Sequence, residues 1–331
     1  MGYRGKAVWF PKKLFPGIYV RDERPMMTIP ESAEDKRSAM AVLAEKILRA
    51  VNDGHLSSAE ASREFLKKRA EKEDGPSPFD SLIARESGMV RDFYGMKLIT
   101  FGDRETAPYE VLYLHGGAYT EEILPFHLHF CGRLARRIGA CVLVPLYPLA
   151  PNHIWSETYT LLLDLYLGML AEKGKEITIM GDSAGGGLSI AFCQYLKTIG
   201  LPQPEHLIGL SPWVDVCMKD AGYEPYRPLD PMLDVPGLQV MGKAWAGDLD
   251  VQDPKVSPAF GDCHGLPRTL LFAGTREILY PDIKEFYEKM IREGCDAELV
   301  VGSGMNHVYP LYNLPESKPA VERIEREITG R

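Results

Sequence analysis

The order of hydrophobic and polar positions divides the chain at about residue 88. After that point, short apolar segments alternate with longer segments whose apolar positions repeat at helical spacing. Strands that alternate with helices are typical of a mostly parallel sheet with helices on both faces, so the pattern predicts an α/β fold. The predicted strands are "MVRDFYGMKLITF" (two strands), "YEVLYL", "ACVLVPLY", "EITIMG", "HLIGLSPWV", "RTLLFAG" and "AELVVG".

Before residue 88, two segments have the apolar spacing of amphipathic helices. The first covers residues 31–52 and the second about 57–72, and "EDGPSP" then breaks the pattern at 73–78. Each helix buries only one face. Residues 1–87 are therefore predicted to form an N-terminal helical segment that packs on the domain formed by 88–331. The apolar stripe of the first helix consists of Met40, Leu43, Ala44, Ile47, Leu48 and Val51.

One segment, residues 217–250, interrupts the alternation of strands and helices. It is rich in proline and aromatic residues, and it contains a helix predicted to begin after Asp234 as N-cap and to stop at Gly247. Pro236 stands in the first turn of that helix. An insertion of this size above a parallel sheet either shapes a substrate site or forms a packed surface excursion, and the sequence leaves both possibilities open.

Composition narrows the classes of function. The 331 residues carry a formal net charge of -8 and no Lys/Arg-rich block, which disfavours a nucleic-acid surface. No apolar run approaches the roughly 18 residues of a membrane span, and the first residues lack the apolar stretch of a secretory signal. The six cysteines have no CxxC spacing and are predicted to be reduced, mostly buried thiols. We therefore expect a cytoplasmic protein.

The glycine-rich stretch "IMGDSAGGGLS" follows an apolar segment at residues 179–189. It is not a phosphate loop, because no lysine follows Gly186, and it fails the GxGxxG pattern at Ile190. Gly181 to Gly185 does match GxSxG, the strand-to-helix turn that exposes a nucleophilic serine. The pattern predicts Ser183 as a nucleophile. A tight glycine turn with a bystander serine is the alternative interpretation.

Upstream, "LYLHGGAY" ends another predicted strand. It resembles the glycine element that donates a backbone N–H to the oxyanion of an acyl-transfer intermediate. We predict that the amides of Gly116 and Gly117 contribute to this oxyanion hole and that the amide of Ala184 completes it.

Downstream, the order of residues is that of a serine, an acid and a base. "FAGTREILYPD" places Glu277 and Asp282 after a strand, and "GSGMNHVYP" places His307 in a loop after the last strand. A histidine in this position can take the serine proton while a carboxylate orients the ring. Both carboxylates remain candidates for the acid.

Other histidines and cysteines suggest no metal or cofactor. His127 and His129 in "FHLHF" lack further residues with ligand spacing, and they fit residues at a helix start or a pocket wall. Cys263 and His264 form no recognisable dyad motif. No cofactor and no metal are expected.

Five motifs follow one another along the chain: HGGAY, YPLAPNH, GDSAGGG, LSPWVDV and GMNHVYP. Together they resemble the hormone-sensitive-lipase family of α/β-hydrolases, in its microbial carboxylesterase and acetyl esterase branch. The resemblance covers about residues 88–325. It implies an eight-stranded sheet, a cap built from the N-terminal helices and the insertion at about 217–250, and cofactor-free hydrolysis of short- to medium-chain acyl esters. It also implies supporting roles for His115 and Asp182, since the aspartate before the nucleophile commonly orients the HGG loop.

Two positions depart from the pattern of that family. Ala118 replaces the third glycine of the oxyanion element, and Glu277-Ile278-Leu279 stands where Asp-Pro-Leu is usual. We expect Glu277 to be the acid and Asp282 to be the N-cap of the following helix. The reverse assignment, with Asp282 as the acid, is the alternative.

Three functions remain compatible with these residues. The first is a serine carboxylesterase that forms an acyl-enzyme with a small-molecule ester. The second is an amidase or formamidase that uses the same residues on a small N-acyl bond. The third is a non-catalytic ligand-binding protein with a hydrolase-like fold, which the presence of Ser183, a carboxylate and His307 disfavours. A homodimer is possible in each case.

Overall fold

The structure is a computed structural model that describes residues 37–71, 79–172, 174–219 and 221–331. The beginning of the first predicted helix, the breaker at 73–78 and most of the N-terminal sequence lie outside the described residues.

An eight-stranded sheet forms the centre of the described chain, in the order β1-β2-β4-β3-β5-β6-β7-β8. The first two strands form a hairpin, and β2 pairs with β4 in antiparallel orientation. The remaining neighbours are parallel. The predicted mostly parallel sheet is confirmed. The strands are β1 Gly88–Phe93, β2 Met96–Phe101, β3 Tyr109–Leu114, β4 Cys141–Pro145, β5 Glu176–Asp182, β6 His206–Leu210, β7 Arg268–Gly274 and β8 Ala297–Gly302.

Helices cover both faces of the sheet, as predicted. Along β3, Leu112 and Leu114 join one buried apolar layer, while Val111 and Tyr113 join the other, because successive side chains of a strand point to opposite faces. The helices are α1 Ala39–Val51, α2 Ala59–Ala70, α3 Asp80–Arg85, α4 Pro125–Ile138, α5 Trp155–Leu170, α6 Ser183–Thr198, α7 Val235–Ala246, α8 Tyr280–Arg292 and α9 Ser317–Thr329. Residues from α5, α6 and α8 belong to the first layer, and residues from α4 and α9 belong to the second.

The orientation predicted for α1 is wrong. Four residues of its apolar stripe, Met40, Leu43, Ile47 and Val51, are 52 to 69% exposed. The helix instead buries Glu45, which forms ion pairs with Arg37, Arg49 and Arg276. Burial alone would raise the pKa of Glu45, but the three arginines lower it to about 2. A carboxylate shared by three guanidinium groups therefore fixes the face of α1 that the apolar stripe was expected to fix.

The insertion folds as the sequence predicts. Asp234 is the N-cap of α7, Pro236 lies in its first turn, and the helix ends before Gly247. Helix α2 packs against α7. The approach of the two segments is close, because a Cβ atom at Gly237 would collide with the backbone of Leu56 just before α2. The N-terminal helices and the insertion are thus in direct contact.

The structure also bears on the predictions for membrane spans and cysteines. No helix in the described ranges is long and apolar enough to cross a membrane. The six cysteines are free thiols, and all except the half-buried Cys295 are buried.

Candidate active site

Ser183 lies at the turn between β5 and α6. Its backbone is left-handed, with φ 51°, and its residue surface is 9% exposed. The Ser183 carbonyl accepts a hydrogen bond from the N–H of Trp213 at 2.8 Å, which ties the turn to the loop after β6. A Cβ atom at Gly185 would collide with the Leu114 carbonyl, so a glycine is required there. This geometry is that of the sharp strand-to-helix turn predicted from GxSxG.

His307 and Glu277 meet in the loops that follow β8 and β7. The Nδ1 atom of His307 lies 2.6 Å from Oε2 of Glu277, and both residues are buried. The other carboxylate oxygen of Glu277 accepts the N–H of Gly274 at 2.7 Å. Because the carboxylate is held at both oxygens, it fixes the plane of the imidazole and the position of the Nδ1 proton.

Charges around His307 favour its protonated form. Burial alone would lower the pKa of His307, but the hydrogen bond and charge of Glu277 raise it above the ordinary value. Asp230 and Asp182 add to this effect. Since Asp182 directly precedes Ser183, the ends of β5, β7 and β8 bring the predicted serine, acid and histidine to one region of the molecule.

Asp282 has a different environment from Glu277. Its carboxylate accepts a hydrogen bond from the hydroxyl of Tyr223 at 2.8 to 2.9 Å. It lies within the first turn of α8, whose N-cap is Leu279, so the prediction of Asp282 as N-cap is wrong. The helix begins earlier than predicted because Tyr280 and Pro281 already belong to it.

Asp182 is the centre of a buried hydrogen-bond network. Its Oδ1 atom accepts the hydroxyl of Tyr113 at 2.7 Å and the N–H of Gly116 at 3.0 Å, and Oδ2 lies 3.1 Å from Nε2 of His127. Burial alone would raise the pKa of Asp182, but His127 and Tyr113 hold it below its ordinary value. The bond to Gly116 connects Asp182 to the HGG loop.

The tautomer of His127 follows from its two partners. Nδ1 accepts the N–H of Leu124 at 3.0 Å, so the ring proton lies on Nε2 and is donated to Asp182. His127 is thus the helix-start residue that the sequence suggested, with an additional bond across to Asp182. His129 instead pairs with Glu86 at 2.7 Å.

The prediction of Gly116 as an oxyanion donor is wrong, because its N–H is already donated to Asp182. Gly116 still lies beside the nucleophile, since a Cβ atom there would be 3.0 Å from Cβ of Ser183. Among the described residues, none accepts a hydrogen bond from the amide of Gly117 or Ala118. The backbone of both residues has positive φ, which turns this loop sharply after β3.

His115 supports the same loop from behind. Its Nδ1 atom lies 2.7 Å from the carbonyl of Gly116, and its ring stacks on Tyr147 with 4.5 Å between centroids. The Tyr147 hydroxyl donates to the His115 carbonyl at 2.6 Å. Burial, and then the nearby His127, lower the pKa of His115 to about 4, so the ring is neutral near pH 7.

Sequence reasoning missed Tyr113, Tyr147 and Asp230. Tyr113 occupies an apolar position of β3, and nothing in the pattern distinguishes it from an ordinary core tyrosine. Asp230 stands in the proline-rich part of the insertion, where aspartate is common in turns. Only the folded chain brings its side chain to the loop that carries Glu277.

One surface cluster has metal-binding residue types. Ligand atoms of Asp262, His264 and Glu293 lie within 4.8 Å of one another. Lys197 pairs with Asp262 at 2.6 Å and Lys289 with Glu293 at 3.9 Å. Lysines already balance these carboxylates, and the cluster does not contain any residue of the predicted site.

Comparisons with known proteins identify the family of the chain. Residues 111–311 match the family described as alpha/beta hydrolase fold. The chain is 34% identical to an esterase of Acinetobacter venetianus, over 66% of this chain and 74% of that protein. It is 32% identical to an acetyl-hydrolase of Streptomyces hygroscopicus, over 64% of this chain and 72% of that one.

Solved structures of esterases have the same fold. The structure of an esterase from the bacterial hormone-sensitive lipase family superposes with a TM-score of 0.69 and 26% identity, covering 82% of this chain and 97% of that one. The chain therefore belongs to the α/β-hydrolase family, within the hormone-sensitive-lipase branch that its motifs predict, and is a hydrolase.

Proposed function

We propose that the protein is a serine carboxylesterase that hydrolyses short- to medium-chain acyl esters, such as acetyl esters, through an acyl-enzyme. The observation that carries this proposal is the buried 2.6 Å contact between His307 and Glu277, in a chain whose GxSxG turn holds Ser183 in a left-handed conformation. The similarity to an esterase and an acetyl-hydrolase supports the choice of substrate class.

In the proposed reaction, His307 takes the hydroxyl proton of Ser183 while the serine oxygen attacks the ester carbonyl. The amides of Gly117 and Ala184 donate to the resulting oxyanion, and the amide of Ala118 takes the place first predicted for Gly116. His307 then gives its proton to the leaving alcohol. Water then attacks the acyl-enzyme while His307 takes a proton from it. His307 returns that proton to the Ser183 oxygen as the carboxylic acid product leaves. Glu277 stabilises the imidazolium in both steps.

We further propose that residues 1–87 and the insertion at about 217–250 act as the cap over this site. The packing of α2 on α7 supports the proposal, because it joins the two segments into one layer. The limited exposure of Ser183 also supports it, since a covered nucleophile favours compact acyl groups. The expected cytoplasmic location, the possible homodimer and the absence of a cofactor stay predictions.

Covalent labelling tests the proposed nucleophile. A fluorophosphonate probe should label the wild-type chain, and Ser183→Ala should abolish labelling and lower kcat by at least about three orders of magnitude. Ser189→Ala is the matched control. Its hydroxyl is also buried in α6, where it donates to the Gly185 carbonyl at 2.7 Å, and that variant should still be labelled. Substantial turnover by pure Ser183→Ala protein would refute the proposal.

The bond that is cleaved requires a second measurement. Esters and amides with the same acyl group distinguish a carboxylesterase from the amidase alternative. We expect kcat/KM for the ester to exceed that for the matched amide by several orders of magnitude, and comparable values would favour the amidase. A folded wild-type chain that the probe does not label would favour a non-catalytic binding protein.

A further inference from the structure

A second buried carboxylate holds the loop that carries Glu277. Asp230, in the insertion at 217–250, is 5% exposed. Its Oδ2 atom accepts the N–H of Ile278 at 2.9 Å, which is the peptide directly after Glu277. Its Oδ1 atom accepts the N–H groups of Met232 and Leu233 at 2.8 and 2.9 Å. The insertion is thereby hydrogen-bonded to the loop of the proposed catalytic acid.

The identity of residue 278 makes this bond possible. Where the related motif is Asp-Pro-Leu, the middle residue has no backbone N–H to donate. Here Ile278 supplies one, and the buried carboxylate of Asp230 accepts it. The departure of Glu277-Ile278-Leu279 from the related motif thus coincides with an anchor that proline cannot form.

The charge of Asp230 also acts on His307, because it contributes to the raised pKa of the imidazole. Three carboxylates raise the pKa of the His307 imidazole, and their effects decrease in the order Glu277, Asp230, Asp182. Tyr312, which lies near all three, stays neutral because burial and these carboxylates raise its pKa. Burial raises the pKa of Asp230 above its ordinary value, and the nearby His307 and the three backbone donors offset only part of that rise. Arg49 lies on its backbone side, where it contacts the Asp230 carbonyl at 3.4 Å.

We propose that Asp230 is a positioning residue of the active site, which fixes the peptide after Glu277 and adds a second negative charge facing His307. This inference rests on the proposed function, because it assigns Asp230 a part in forming the imidazolium. When His307 takes the serine proton, Glu277 stabilises the new charge by direct contact. Asp230 stabilises it across space and keeps Glu277 in position.

Three variants separate the hydrogen bond from the charge. Asp230→Asn removes the charge and places an amide N–H group against the N–H of Ile278. Ile278→Pro removes the backbone donor and leaves the charge of Asp230 in place, although it also shortens a buried apolar side chain. Asp234→Asn is the matched control, because it makes the same change four residues away in the same insertion. Asp234 caps α7 and pairs with Arg227 at 2.7 Å.

Each variant is measured as kcat and kcat/KM against pH, per site titrated with the fluorophosphonate probe, so that only folded enzyme is counted. Asp230→Asn should lower kcat about tenfold and move the acidic limb of kcat/KM to lower pH by about 0.5 unit. Ile278→Pro should lower kcat to a similar extent without moving the limb. Asp234→Asn should change neither quantity.

Several results would overturn the proposal. An acidic limb that stays in place in Asp230→Asn would leave Asp230 with a purely structural role. If Ile278→Pro keeps the wild-type kcat per titrated site, the hydrogen bond from Ile278 to Asp230 does not position Glu277. This measurement does not depend on whether Asp230→Asn folds. An equal shift in Asp234→Asn would indicate a general effect of charge. Failure of the proposed function is distinguishable, because it would appear as unlabelled wild-type protein.

Discussion

Ser183 occupies a backbone conformation that an L-residue with a Cβ atom adopts at a cost. Its φ of 51° lies in the left-handed region, where the penalty is about 1–2 kcal/mol relative to right-handed backbone. The hydrogen bond from Trp213 to the Ser183 carbonyl and the packing of the following glycines hold the turn in this state. The strained backbone therefore lowers the free energy of unfolding at the residue whose hydroxyl the proposed reaction uses.

Glycine and alanine substitutions at Ser183 can measure that strain. Both variants should lack esterase activity, but Ser183→Gly should be more stable than Ser183→Ala by up to about 1 kcal/mol, because glycine tolerates positive φ. Ser189 provides the control, since it lies in the interior of α6. There the glycine variant should be less stable than the alanine variant by about 1 kcal/mol. Urea unfolding of the four proteins gives the comparison, and the same sign at both positions would contradict a strained turn.

Single substitutions can also decide whether Glu277 or Asp282 is the catalytic acid. Glu277→Gln keeps a carbonyl oxygen for one hydrogen bond but loses the charge that faces the imidazolium, so kcat should fall about 10³- to 10⁴-fold with little change in melting temperature. Asp282→Asn keeps an acceptor for the Tyr223 hydroxyl and should retain nearly full activity. Steady-state kinetics and thermal unfolding of both variants decide the matter. An inactive Asp282→Asn beside an active Glu277→Gln would reverse the roles.

The pH dependence of the reaction follows from His307. Its pKa is raised above the ordinary value near 6.5, and a general base must be neutral to accept a proton. Activity should therefore rise with pH, and the midpoint of the acidic limb of kcat/KM should lie above 6.5. A non-ionising ester substrate makes this limb report on the enzyme. A midpoint below 6.5 would contradict the electrostatic environment described for His307.

At the scale of elements, the sequence predicted what depends on local order and missed what depends on distant partners. The strands, the turn at Ser183 and the boundaries of α7 follow from apolar spacing, glycines and a capping aspartate, all within a few residues. Gly116 was misassigned because its N–H is used by Asp182, which lies 66 positions away along the chain. The role of Asp230 was missed for the same reason, since its acceptor atoms meet Ile278 only after folding.

The orientation of helix α1 was predicted wrongly because Glu45 pairs with the distant Arg276 as well as with the local Arg37 and Arg49. The apolar stripe alone favours a different face of the helix, but the face that is buried carries Glu45, which pairs with Arg276 directly before Glu277. Arg49 of the same helix also donates to the carbonyls of Pro228 and Leu229 in the insertion. Helix α1 thus connects the acid loop to the insertion through charged groups.

The importance of Glu45 can be tested by neutralising it. Glu45→Gln should lower the melting temperature and increase hydrogen exchange in α1, because three guanidinium groups lose their shared carboxylate. Glu60→Gln is the control, since Glu60 is exposed on α2 and its ion pair with Arg63, at 3.8 Å, is also exposed. That variant should unfold like the wild type. Equal melting temperatures for all three proteins would show that α1 is held by other contacts.

At the scale of the whole molecule, the proposed site depends on loops of the sheet and on two segments outside it, the N-terminal helices and the insertion. The sheet supplies Ser183, Glu277 and His307 from loops that follow β5, β7 and β8. The N-terminal helices and the insertion approach these loops through Arg276 and Ile278, the two neighbours of Glu277. A change in either segment can therefore affect the position of the proposed catalytic acid, Glu277, without contact with substrate.

Removal of residues 1–75 tests how far the sheet depends on the N-terminal helices. The first strand begins at Gly88, so the eight strands should remain and far-UV circular dichroism should change only by the lost helices. The truncated chain should nevertheless have a higher KM and a different preference for acyl-chain length, because α7 loses its packing against α2 and Arg276 loses Glu45. Newly exposed apolar surface on α7 should also promote self-association, which size-exclusion chromatography detects. A soluble truncated enzyme with unchanged KM values across a series of acyl lengths would refute the proposed cap.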